Sequence, residues 1–363
     1  MPDMRFGIQL FPWHTAPQMV AYARRALSQF PFHRVWVPDH LTYENVFVVL
    51  ASIIAQSDAR VGTSVTHPYL RTPVDLASSF AALAHLAGER GVTVGIGSSA
   101  VTSDMIRKQR RVTMVRETIL FLRRLFAGQK ATLGEFPSLA DFFHLDPAAQ
   151  ALLHLPPSRP PEILVAAAGP QMMRLAGELG DGLILSNFSF PTALVRQGEL
   201  ESPMAIVQEA RRSQDGGRPF TKVLHLHVSV ARDGNQARRF SKRLSTVALV
   251  QSNYPREKLV KLGISVDQAT TIENAYRQGT GFDAMETLVT DRLIEESGII
   301  AAGTPEECIS KLDELLRLAK PYRFDMVDIA TPLGPNLDEA IDIICQEIIP
   351  ELQRRSHSYQ ENG

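Results

Sequence analysis

The order of short apolar runs and amphipathic segments predicts an α/β chain folded as a (β/α)₈ TIM barrel, with insertions before strand five and before strand eight. Three observations carry this reading. Eight strand-like runs each lead into further, mostly helix-like sequence. The runs are apolar along their length, as in strands buried on both faces, instead of alternating. At 363 residues the chain is long enough for eight such units and two excursions. A doubly wound open sheet is the rival, which spacing alone separates only weakly.

Residues 6–11 read as the first strand, followed by a helix over 17–30 with apolar Met19, Val20, Ala23 and Leu27. Residues 34–38 form the second, ahead of a helix over 46–57. Residues 60–66 form the third, and Pro73 opens the next helix, because proline suits a first helical turn. The fourth strand is 91–96, with a helix over 112–126. The fifth is 163–167, and Pro170 opens a helix that stops near Gly180. The sixth is 182–185, the seventh 223–230, and the eighth 324–329, before a closing helix over 337–352. Residues 128–161 carry six prolines and read as an irregular insertion. Residues 231–300 are charged, helix-prone and without strand signals, so they read as a helical insertion. One domain over 1–355 and a frayed polar tail over 356–363 are expected.

Lys and Arg number 38 against 39 Asp and Glu, a formal net charge of −1. Near-neutrality argues against nucleic acid as a partner, because phosphate binding wants a clustered basic surplus. With 44% hydrophobic and 21% charged residues the composition is that of a globular chain. No apolar run approaches the roughly 18 residues that a membrane span needs, and the N-terminus enters a strand without a secretory segment. Only Cys308 and Cys345 are present, so neither a disulfide framework nor a cysteine zinc site is expected. A cytoplasmic protein acting on a small molecule is the expectation.

In such a barrel, functional groups stand at the C-terminal ends of strands. Asp39 and His40 leave the second strand together, as a possible proton donor and the group that orients or charges it. A turn cap beside a surface histidine is the other reading. Gly95-Ile96-Gly97-Ser98-Ser99-Ala100 lacks the third glycine of a dinucleotide fingerprint. It reads as close backbone approach to a planar ligand, or as a tight turn. Ala167-Ala168-Gly169-Pro170 leads into a helix whose first N–H groups and dipole favour an anion such as phosphate; an ordinary small-residue turn fits equally. His225 and His227 share a strand face without a third ligand, so no metal is expected. The basic run Arg107-Lys108-Gln109-Arg110-Arg111 reads as a solvated face, or as a contact for an acidic tail.

These stretches resemble the bacterial luciferase-like superfamily of flavin- and deazaflavin-dependent oxidoreductases, and within it the coenzyme F420-dependent methylenetetrahydromethanopterin reductase-like proteins. The matching segments are 36–40, 62–73, 95–97, 166–170, 175–182, 325–327 and 332–335, in order along nearly the whole chain. The resemblance implies a (β/α)₈ barrel that transfers a hydride between coenzyme F420 and an organic substrate. An FMN-dependent luciferase-like monooxygenase, or a flavin- or ligand-binding barrel without turnover, is the alternative.

By position, the resemblance places Asp39 and His40 at the deazaflavin ring as catalytic residues. It makes the Ser64–Val65 peptide a cis bond behind that ring. Thr66 and Asn187 fall to the ring or its ribityl chain, Gly97 and Ser98 to the turn beside it. Ala167, Ala168 and Gly169 fall to the phosphate. Separately, a homodimer or higher homo-oligomer is expected. Related deazaflavin enzymes often carry a carboxylate where this chain has Ala100, and Asp104 lies further along.

Overall fold

The structure is a computed structural model that describes residues 4–98, 106, 111–213, 217–251, 256–278 and 287–361. In chain order its strands are β1 (Arg5–Gln9), β2 (Arg34–Val37), β3 (Val61–Thr63), β4 (Val92–Ile96), β5 (Ala131–Thr132), β6 (Gln150–Ala151), β7 (Glu162–Ala166), β8 (Gly182–Ser186), β9 (Thr221–Val230), β10 (Ala301–Gly303) and β11 (Met326–Leu333). Eight of them pair in parallel in the order β1, β2, β3, β4, β7, β8, β9, β11, and β11 returns to β1 with Gly7 opposite Asp328. The sheet is a closed (β/α)₈ barrel.

Closure puts alternate residues of each strand inside and outside. Phe6, Ile8, Val35, Val37, Val94 and Val165 belong to the core shared with the surrounding helices. Trp36, Leu164, Ile184, Val223 and Met326 form a separate cluster that fills the barrel. Gly62 is what admits the indole: a Cβ there would stand 2.5 Å from Trp36 Cζ3. Polar groups line the interior at the N-terminal end. Arg34 pairs with Glu162 at 3.2 Å, and Thr221 Oγ1 donates to Glu162 at 2.8 Å. Among the described residues no helix is long and apolar enough to cross a membrane.

Four expectations need correction. The insertion at 128–161 is ordered: β5 and β6 pair antiparallel around a 3₁₀ turn and the helix Pro137–Phe142. Glu117 caps that helix by accepting from the Ser138 and Leu139 N–H groups at 2.9 and 3.1 Å. Proline density hid this because Pro137 starts a helix as readily as it breaks one. Beyond the helices of 231–300 lies a ninth strand, β10, which takes the edge of β9 that β8 leaves after Ser186. Three small residues give no strand signal. The helix Pro305–Ala319 that follows does carry a readable start, the capping box of Thr304 and Glu307.

The third strand stops at Thr63 and the last runs on to Leu333; cis bonds stand at Ser64–Val65, just past the third strand, and at Thr331–Pro332, within the last. Finally, the helix Ile349–Glu361 continues through most of the expected frayed tail. Glu351 ties it locally by pairing with both Arg354 and Arg355.

Candidate active site

The C-terminal ends of β1 to β4 bring the first group of expected residues together. Asp39 and His40 leave β2 side by side but turn to different surroundings. The Asp39 carboxylate is buried, and its Oδ2 accepts from Thr66 Oγ1 at 2.7 Å and from Arg71 Nη1 at 2.5 Å. The Arg71 guanidinium also lies over the Phe47 ring at 4.8 Å. Asp39 Oδ1 is buried with no hydrogen-bond partner. Asp39 therefore does not orient His40, against the sequence expectation, because Arg71 and Thr66 hold its carboxylate.

His40 packs on Phe11 at 4.8 Å and on Tyr43 at 5.7 Å between ring centroids. Burial among these rings pushes its pKa down to about 4. Its imidazole is neutral at neutral pH, so it can accept a proton more readily than it donates one.

The Ser64–Val65 peptide is cis, as the resemblance implies. Gln9, which sequence reasoning passed over, holds it from below. Its Nε2 donates to the Ser64 carbonyl at 2.9 Å and to the Ser64 hydroxyl at 2.7 Å. Its Oε1 accepts from the Thr331 N–H at 3.2 Å. A polar residue inside an otherwise apolar first strand was the available signal. Thr66 bridges to β4, donating to the Gly95 carbonyl while its own carbonyl accepts from Gly97. Gly97 is buried, and a Cβ there would meet Val65 Cγ2 at 3.2 Å. Ser98 is half-buried.

The second group stands at the ends of β7, β8 and β9. Ala167 is buried, Ala168 exposed and Gly169 half-buried at the start of the helix Pro170–Leu179. No side chain caps that helix, and the space where a Gly169 Cβ would sit is open. Asn187 is buried, but its amide is engaged: Oδ1 accepts from the His227 N–H at 2.9 Å. That bond links the end of β8 to β9.

His227, set aside in the sequence as an unlikely metal ligand, stacks flat on Phe188 at 3.4 Å with Nδ1 2.6 Å from the Thr331 carbonyl. Burial takes its pKa down to about 3. His225 lies in the barrel, Nε2 2.7 Å from Asp328 Oδ2. Ala100, Asp104 and 107–110 lie outside the described residues.

Residues 4–319 match the profile described as luciferase-like monooxygenase. The chain belongs to that family. Similar to this family member is the 5,10-methylenetetrahydromethanopterin reductase of Methanolobus tindarius, 28% identical over 350 residues, 95% of this chain and 100% of the relative. The F420-dependent glucose-6-phosphate dehydrogenase of Beutenbergia cavernae is 32% identical over 202 residues, 51% of this chain and 57% of the relative. Among solved structures, the coenzyme F420-dependent tetrahydromethanopterin reductase of Methanopyrus kandleri superposes with a TM-score of 0.74 at 20% identity. It covers 96% of this chain and 99% of its own. That likeness places both chains in one barrel fold.

Proposed function

We propose that this luciferase-like barrel is a cytoplasmic oxidoreductase that transfers a hydride between coenzyme F420 and an organic substrate. Two relatives whose names specify different substrates, a pterin reductase and a sugar-phosphate dehydrogenase, support a shared cofactor more than a shared substrate. Cys308 and Cys345 are free and buried, which suits a reducing compartment.

The observation that carries the reading is Asp39. One carboxylate oxygen is held by Arg71 and Thr66, and the other is buried without a partner at the barrel mouth. A buried acceptor left unpaired is costly, and an N–H on the edge of a ring system would satisfy it. Gly169 adds the second part of the fit. Its missing side chain leaves open the approach to uncapped N–H groups at the start of a ten-residue helix, where an anion is favoured.

A deazaflavin held there would supply a ring carbon able to accept or return a hydride. The chain's own part is to fix that ring's edge through Asp39, to back it with the Ser64–Val65 segment pinned by Gln9, and to hold its phosphate end near Gly169. Neutral His40 takes the proton from a substrate hydroxyl as the hydride leaves, and gives it back in the reverse direction. Thr66 and Gly97 keep the backbone of β3 and β4 close beneath.

Titration of the purified protein with F420 and, separately, with FMN tests the reading. Micromolar or tighter F420 binding with turnover supports it. Tight FMN binding without F420 binding overturns it in favour of the monooxygenase alternative, and binding of either without turnover favours a ligand-binding barrel. Self-association is part of the proposal: Val48 and Leu86 stand exposed on the neighbouring helices Val46–Gln56 and Pro73–Ala87. Sedimentation equilibrium reads it directly.

A further inference from the structure

The rim of the barrel carries a cluster of rings that cofactor binding leaves without a task. Phe11 follows β1, and its ring lies 4.5 Å from Trp13, 4.8 Å from His40 and 5.2 Å from Tyr43. Phe240, on the helix Gly234–Gln251 beyond β9, meets Trp13 edge-on at 6.4 Å. Four aromatic side chains from three separate segments thus converge beside the candidate proton acceptor. They are not sealed in: Tyr43 is 37% and Phe240 36% exposed, and Leu41 between His40 and Tyr43 is 43% exposed. Large apolar side chains gathered at a surface mark a ligand site when they sit together, and this patch is continuous with His40.

We propose that Trp13, Tyr43 and Phe240 determine substrate choice, and that they select a neutral substrate carrying a flat apolar ring next to its reacting carbon. The inference rests on the hydride-transfer reading for what happens at that carbon. Phe11 touches both Trp13 and His40, so a ring held against the rim brings its substituent beside the imidazole. Aromatic faces reward offset or edge-on contact with another ring. They offer little to a small aliphatic alcohol, and nothing that pairs with a phosphate.

The chain has two tryptophans, and they separate cleanly. Trp36 is sealed inside the barrel, while Trp13 is only half-buried at the rim. Quenching of Trp13 emission by acrylamide therefore reports rim occupancy without any turnover. The full-length protein is titrated with 1-phenylethanol, 2-propanol and glucose 6-phosphate as protectants, with and without F420. Half-maximal protection by 1-phenylethanol is expected at a concentration at least tenfold below that for 2-propanol, with none from glucose 6-phosphate. Phe240→Ser and, separately, Tyr43→Ser should each raise that concentration at least fivefold while leaving F420 affinity within twofold and the circular dichroism unchanged. Equal protection by the two alcohols, stronger protection by glucose 6-phosphate, or no effect of either variant overturns the proposal. F420 binding is read in the same samples from the cofactor's own emission. Its failure therefore registers against the hydride-transfer reading, separately from the rim's choice between the alcohols.

Discussion

Gln9 donates from Nε2 to the Ser64 carbonyl at 2.9 Å while its Oε1 accepts from Thr331 at 3.2 Å, so one side chain ties the first strand to the third and the last. Replacing it by leucine keeps its bulk and strips these bonds. The Thr331 N–H and the Ser64 carbonyl would then be short of a partner in a buried place, at a cost of about 1–3 kcal/mol. Urea denaturation of Gln9→Leu should read that loss, together with weaker F420 binding. Unaltered stability and affinity would remove Gln9 from the site.

The buried Asp39 carboxylate pairs at 2.5 Å with a half-buried Arg71. Arg71→Gln leaves the carboxylate uncompensated, a loss of about 3–5 kcal/mol for pairs of this kind. Adding Asp39→Asn removes the stranded charge. The double variant is therefore expected to recover part of the stability lost in the single one, and a double-mutant cycle measures the coupling. Purely additive losses would mean that the two side chains do not act on each other.

His40 bears on rate more than on cofactor grip. His40→Ala is expected to lower kcat by roughly 10²–10⁴-fold, the usual range for a lost acid–base group. The F420 dissociation constant should stay within about tenfold, or 1.4 kcal/mol. With its pKa down at about 4, the acid limb of kcat/KM should fall near pH 4 and not near the ordinary 6.5. An active, weak-binding variant sinks the catalytic assignment.

Gly169 should behave in the opposite way. Nothing lies within 4 Å of where its Cβ would stand, and its φ of −117° suits any residue. Gly169→Val should therefore change stability by no more than about 1 kcal/mol, the scale of a helix-cap effect. Its branched side chain should block the anion and weaken F420 binding at least tenfold. Retained affinity would move the phosphate away from this turn.

Acid should destabilise the fold through the same histidines. Burial lowers His40 to about 4 and His227 to about 3. In the unfolded chain both take up protons near pH 6.5. Below that point the unfolded state binds more protons than the folded one, so stability is full above pH 6.5 and falls as pH drops toward 4 and 3. Thermal melts across this range should show the decline, and a smaller one in His227→Phe.

The barrel was legible because its determinants are local and repeated. Apolar strands such as 92–96 and proline-opened helices such as Pro73–Ala87 recur with the same period, and eight such units close on themselves. Asp39, His40 and Gly169 stand out for another reason: they fall at strand ends, where ligands meet this fold, whereas the Ser64–Val65 cis bond was implied by the family resemblance alone. Short elements escaped. Ala301–Gly303 carries no β-branched residue, and only its pairing with Val228–Val230 makes it a strand.

What only the tertiary structure decided is which neighbour each polar group meets. The sequence by itself sets Asp39 beside His40 and suggests a pair. Folding brings Arg71, 32 residues further along, to Asp39, and Phe11, from the segment after β1, to His40. A carboxylate's partner and a histidine's burial depend on atoms a few ångströms away in space, and chain spacing carries no record of them.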